Sequence, residues 1–96
     1  MCGIIGITSS KPVSSAIINS LRKLEYRGYD SAGIATLSNG AINEVKSEGR
    51  VDNLEKNLAI KSMMGVVGIG HVRWATHGVP NAINAHPHSS ENISIV

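Results

Sequence analysis

The sequence predicts an α+β fold with elements in the order β-α-β-β-α-β. Glycine-spaced, β-branched apolar runs recur at Cys2–Thr8 and Val66–Val72, as expected of short buried strands. Between them lie a stretch of helical apolar period and an Asn-Gly pair flanked by apolar residues. Hairpins mixed among helices argue against a doubly wound parallel sheet.

Taken in order, Cys-Gly-Ile-Ile-Gly-Ile-Thr at 2–8 reads as the first strand. Ser9, Ser10 and Lys11 form a turn, and Pro12 suits the first position of a helix, where its missing N–H costs nothing. From Val13, Ile17, Ile18, Leu21 and Leu24 recur at helical spacing, so one face packs on a sheet. Gly28 lies just beyond that helix's end. Strands follow at Gly33–Leu37 and Ala41–Lys46, joined by Ser38-Asn39-Gly40. Asp52 with Glu55 three residues on has the spacing of a capping box, opening a short helix through Leu54 and Leu58 that Met63-Met64-Gly65 ends. Val66–Val72 is the next buried strand. Arg73 to Asn92 is polar and loop-like, and Ile93–Val96 begins a last strand. That strand is cut off in mid-run, which makes Val96 an implausible natural end for a folded domain.

The chain has 96 residues, enough for one small domain, with no repeat, low-complexity tract or linker. With no Phe, one Trp and two Tyr, its core has to be built from Ile, Val, Leu and Ala. The 9 basic and 7 acidic residues are scattered, which supports neither a nucleic-acid partner nor a membrane surface. A single cysteine excludes an internal disulfide framework and fits a reducing, cytoplasmic setting. No apolar run approaches the roughly 18–20 residues that span a bilayer, and no signal-peptide pattern opens the chain.

Three places offer chemistry. Cys2 becomes N-terminal if Met1 is trimmed, as is normal before a small residue. Its thiol would then sit beside its own α-amine, whose ordinary pKa of roughly 7.7–8.0 suits a general base near neutrality. The alternative is an ordinary buried thiol at a strand end. The segment Tyr26-Arg27-Gly28-Tyr29-Asp30-Ser31-Ala32-Gly33 is dense in polar groups; Arg27 and Asp30 either pair to brace a site or belong to a solvated turn. The segment His71-Val72-Arg73-Trp74-Ala75-Thr76-His77-Gly78 follows a buried strand, where scaffolds present side chains to ligands. Arg73 offers a planar fork for a carboxylate. Trp74 either walls a pocket or anchors a core, and Thr76 and His77 add hydrogen-bonding groups. The spacing of His71, His77, His86 and His88 matches no common zinc pattern. There is no Walker loop and no dinucleotide fingerprint.

Together these segments resemble a known family. Cys2-Gly3-Ile4-Ile5-Gly6, Leu24 to Gly33, Arg73 to Gly78 and Asn84-Ala85-His86-Pro87-His88 are similar, in the same order, to class II glutamine amidotransferases, which are N-terminal-nucleophile hydrolases. The Tyr-Arg-Gly-Tyr-Asp-Ser-Ala-Gly and Arg-Trp-Ala-Thr-His-Gly wording is closer to the aminotransferases acting on fructose 6-phosphate than to the purine-pathway amidophosphoribosyltransferases. The resemblance implies part of a four-layer αββα fold of the glutaminase type 2 kind. It implies Cys2 as nucleophile through a thioester, with Arg73, Thr76 and His77 binding glutamine and Trp74 at the mouth of an ammonia channel. Arg27, Gly28 and His86 would support the site, and no metal or cofactor is implied. In the full enzyme the ammonia would pass to fructose 6-phosphate in C-terminal sugar isomerase domains, within a homodimer, to make glucosamine 6-phosphate.

The family's domain is more than twice this long. An Asn-Gly oxyanion pair and an aspartate for the substrate amine would both follow Val96. The isolated chain is therefore expected to have little or no glutaminase activity, since one lost oxyanion donor alone costs about 10²–10³ in turnover. The alternative function is a catalytically inactive remnant or an interaction module of the same fold. Intact motifs favour the enzyme.

Overall fold

A computed structural model of the chain describes residues 1–57, 60 and 62–96. Four antiparallel strands, β1 (Gly3–Thr8), β2 (Ser31–Ser38), β3 (Ala41–Glu48) and β4 (Val67–Arg73), form one sheet in the order β1-β4-β2-β3. The β2–β3 hairpin closes with Ser38 opposite Ala41. Asn39 and Gly40 both take positive φ, 52° and 76°, the conformation that makes Asn-Gly the preferred tight hairpin turn.

Helix α1 (Ser14–Leu24) crosses one face of this sheet, with the short α2 (Val51–Glu55) beside it. The alternation of β-strands puts Ile5, Gly70, Ile34 and Val45 in one row across that face. A Cβ on Gly70 would stand 2.5 Å from Ile17 Cγ2, so the glycine spacing of β4 is what lets α1 seat on the strands. Ile17, Leu21, Ile34, Val51, Leu54 and Val72 are fully buried there, each contributing about 1.5–3 kcal/mol of apolar burial.

The opposite face carries Ile4, Gly33, Leu37, His71 and Arg73. Part of it is covered by the chain after β4, which ends in a two-stranded hairpin of β5 (His88–Ser89) and β6 (Ser94–Ile95). Ser89 Oγ donates to the Glu44 carboxylate of β3 and accepts from Ser94 Oγ at 2.8 Å. Ile4 and Leu37 remain exposed.

Mixed helix and antiparallel sheet bear out the α+β expectation, and β1 to β4 lie within two residues of their expected limits. Four local expectations are corrected. Pro12 precedes the N-cap, Val13, rather than opening α1. The capping box does not form: the N-cap of α2 is Arg50, without a side-chain cap bond. Asp52 and Glu55 instead both accept from Arg22 Nη2 of α1, Asp52 at 3.1 Å. A distant cation has outcompeted the local main chain. The segment 73–92 contains strand β5, and the last strand is confined to Ser94–Ile95, because each supplies the other's ladder partners. Leu58, expected within α2, lies outside the described residues. Among the described residues no helix is long and apolar enough to cross a membrane.

Candidate active site around Cys2

The antiparallel register of β1 with β4, Gly3 opposite Val72, brings Cys2 to the residues that follow Val72. The Trp74 main-chain N–H donates to Cys2 Sγ at 3.4 Å, and the thiol lies 3.8 Å from the Trp74 carbonyl oxygen. Cys2 is exposed and forms no disulfide, so the thiol is both held and reachable. Met1, also exposed, keeps the Cys2 nitrogen an amide until it is removed.

The loop 25–30 packs against the same point. A 3-10 turn at Glu25–Arg27 extends α1 and is closed by Gly28 N–H donating to Glu25 O at 3.0 Å. Arg27 Nε then donates to Cys2 O at 3.1 Å, and its Nη2 lies 2.7 Å from Met1 Sδ. Gly28 is in extended backbone, so its need is spatial: a Cβ there would sit 2.7 Å from Trp74 N. Asp30 N–H donates to Arg73 O at 3.0 Å, and Asp30 Oδ2 accepts from Ala75 N–H at 2.5 Å. Arg27 and Asp30 therefore do not pair with each other; each grips main chain beside the thiol.

Arg73 is buried at 8% exposure. Its Nη1 donates to Val79 O at 3.3 Å, and its Nη2 to His77 O and, at 3.4 Å, to Gly78 O. Asn84 Nδ2 donates to the same Val79 carbonyl at 2.9 Å. The guanidinium thus folds the 77–79 loop around itself and keeps a buried positive charge at the site's edge. Thr76 and His77 are exposed on that loop. Trp74 is 52% exposed beside Cys2, which rules out the core-anchor reading of it.

His86 joins a different group. It stacks on His71 with ring centroids 4.4 Å apart and touches His88 at 4.5 Å. Burial pushes the His71 pKa down to about 4, helped by the charges of His86, Arg73 and His88; burial also lowers His86. Among the described residues no group of three or more His, Cys, Asp or Glu is arranged to hold a metal ion.

No family model matches the chain. It is 55% identical over 96 residues to the glutamine–fructose-6-phosphate aminotransferase of Agrobacterium fabrum, and 54% to that of Brucella abortus. Both alignments take in all of this chain and 16% of the relative. Over its whole length the chain is similar to the N-terminal part of glutamine–fructose-6-phosphate aminotransferases. It spans the N-terminal sixth of these relatives' length. Among solved structures it is similar to the glutamine phosphoribosylpyrophosphate amidotransferase of B. subtilis, with a TM-score of 0.78 and 26% identity over 98% of this chain and 20% of that one. A second structure, an allosteric regulatory enzyme of purine biosynthesis, superposes with a TM-score of 0.80 at 26% identity, over 92% of this chain and 19% of that one. The fold is thus that of the N-terminal-nucleophile amidotransferases.

Of the residues the aminotransferase motifs single out, Cys2, Arg27, Gly28, Arg73 and Trp74 converge. Thr76 and His77 lie on the adjoining loop, and His86 supports the sheet's far face. The sequence offered Asp30 only as a pairing partner for Arg27; its actual partner, the Ala75 main-chain N–H, carries no sequence signal.

Proposed function

We propose that this chain forms the nucleophile end of a glutaminase that supplies ammonia for amino-sugar synthesis, as the N-terminal portion of a class II amidotransferase domain. The observation that carries the reading is the exposed Cys2 thiol held at 3.4 Å by the Trp74 amide, with Arg27 gripping the Cys2 carbonyl and buried Arg73 next to Trp74 in the chain. The names of its relatives point to glutamine as donor and fructose 6-phosphate as acceptor.

Removal of Met1 would free the Cys2 amine to take the thiol proton. The sulfur then forms a bond to the side-chain amide carbon of glutamine. That carbon's bond to nitrogen breaks as the nitrogen receives the proton, and ammonia leaves. Water adds to the thioester, the C–S bond breaks, and glutamate departs with the thiol restored. Arg73, Thr76 and His77 serve the substrate α-carboxylate, with Arg73 ordering the loop that carries His77. Exposed Trp74 beside the thiol suits a channel mouth. Arg27 and Gly28 keep the nucleophile in register. The acceptor domains, a homodimeric assembly and a cytoplasmic location belong to the same proposal.

The test is Cys2→Ala in the full-length protein. Glutamine-dependent product formation is expected to vanish, while synthesis from added ammonia persists. Glutamine hydrolysis surviving the substitution would sink the reading.

A further inference from the structure

Asp30 touches the peptide units on both sides of Trp74. Its N–H donates to Arg73 O at 3.0 Å, and its Oδ2 accepts from Ala75 N–H at 2.5 Å. A trans peptide is planar, with its C=O and N–H pointing in opposite directions. Holding Arg73 C=O therefore aims the other end of that unit, Trp74 N–H, away from Asp30. Holding Ala75 N–H likewise aims Trp74 C=O away. Those two outward groups are the ones that meet Cys2 Sγ, at 3.4 and 3.8 Å.

We propose that Asp30 is a positioning residue for the nucleophile, acting through the 73–74 and 74–75 peptide units to fix the Cys2 sulfur. The hydrogen bonds of Asp30 go to Arg73, Ala75 and Gly49, so it sets where the sulfur's main-chain partners point. Its own placement is fixed from behind, because Asp30 O accepts from Gly49 N–H at 2.8 Å. The loop therefore joins the β3–α2 connection to the end of β4. Gly28, two residues earlier, permits the approach: any side chain there would meet Trp74 N at 2.7 Å. A carboxylate suits the task because it accepts strongly from a main-chain N–H. The charge is not essential; an oxygen acceptor at that position is. The proposal rests on Cys2 as the nucleophile of glutamine hydrolysis.

The test compares Asp30→Ala and Asp30→Asn in the full-length protein, with Asp52→Ala as a control for loss of a carboxylate elsewhere. Asp30→Ala is expected to lower kcat for glutamine hydrolysis by about tenfold to a hundredfold, the scale of a small misplacement of reacting groups, with KM for glutamine changed much less. Asp30→Asn keeps an acceptor oxygen and is expected to recover most of kcat. In parallel, the amide resonances of Trp74 and Ala75 shift, and their exchange accelerates, in Asp30→Ala but not in Asp30→Asn or Asp52→Ala. Unchanged kcat in Asp30→Ala, equal damage in both Asp30 variants, or unmoved amide resonances would each overturn the proposal. Failure of the glutaminase reading shows separately, as hydrolysis that survives Cys2→Ala.

Discussion

The main-chain oxygen of His86 occupies the place where a side chain on Gly33 would begin. Gly33 lies opposite His71 in the β2–β4 pair, and His86 stacks on His71. One missing Cβ therefore lets the chain after β4 lie flat on the sheet, with Ala85 and Pro87 buried on either side of His86. Gly33→Ala is expected to destabilise the protein by about 1–3 kcal/mol or more, since the obstacle is main chain that cannot rotate aside. Urea unfolding measures this; a loss under half a kcal/mol would mean the segment lies elsewhere.

The same contact predicts a pH dependence. His71 is unprotonated in the fold down to about pH 4, whereas in the unfolded chain it takes up a proton near 6.5. Between those values the unfolded state binds more protons, so stability is full above about 6.5, falls as pH drops, and levels off near 4. His86, also lowered, adds to the slope in the same direction. The facing cations Arg73 and Lys46 deepen the penalty. The His71 share is on the order of 3 kcal/mol before solvent screening reduces it. Urea midpoints from pH 4 to 7.5 test it, and His71→Leu should flatten the curve.

At the nucleophile, Gly28→Ala forces a Cβ to within 2.7 Å of Trp74 N unless the backbone retreats. Retreat breaks the Trp74 N–H bond to Cys2 Sγ. Glutamine hydrolysis by the full-length protein should fall at least about tenfold, through kcat more than KM. Full activity in this variant would show that the loop tolerates the shift.

Between the helices, Arg22 is shared by Asp52 and Glu55, all partly or well exposed. Exposed pairs contribute little, so Asp52→Ala should cost under about 1 kcal/mol, and less still in high salt. A loss near 2 kcal/mol, insensitive to salt, would instead restore the capping role.

The elements legible in the sequence are those encoded by neighbours along the chain. The helical period of Ile17, Ile18 and Leu21 places α1, and Asn39-Gly40 turns a hairpin whatever surrounds it. Cys2, Arg73 and Trp74 were legible as chemistry because their residue types and motif order carry the family resemblance. Distance along the chain hid the rest. Asp52 and Glu55 have capping spacing, but Arg22, 30 residues earlier, takes their carboxylates. Arg27 and Asp30, near enough in sequence to pair, turn instead to the main chain of Cys2 and Ala75. The β1–β4 and β2–β4 registers set that choice, because antiparallel pairing delivers both Cys2 and the loop before β2 to the end of β4. Main-chain donors and acceptors are common to every residue, so no side-chain pattern can announce which of them will meet the sulfur.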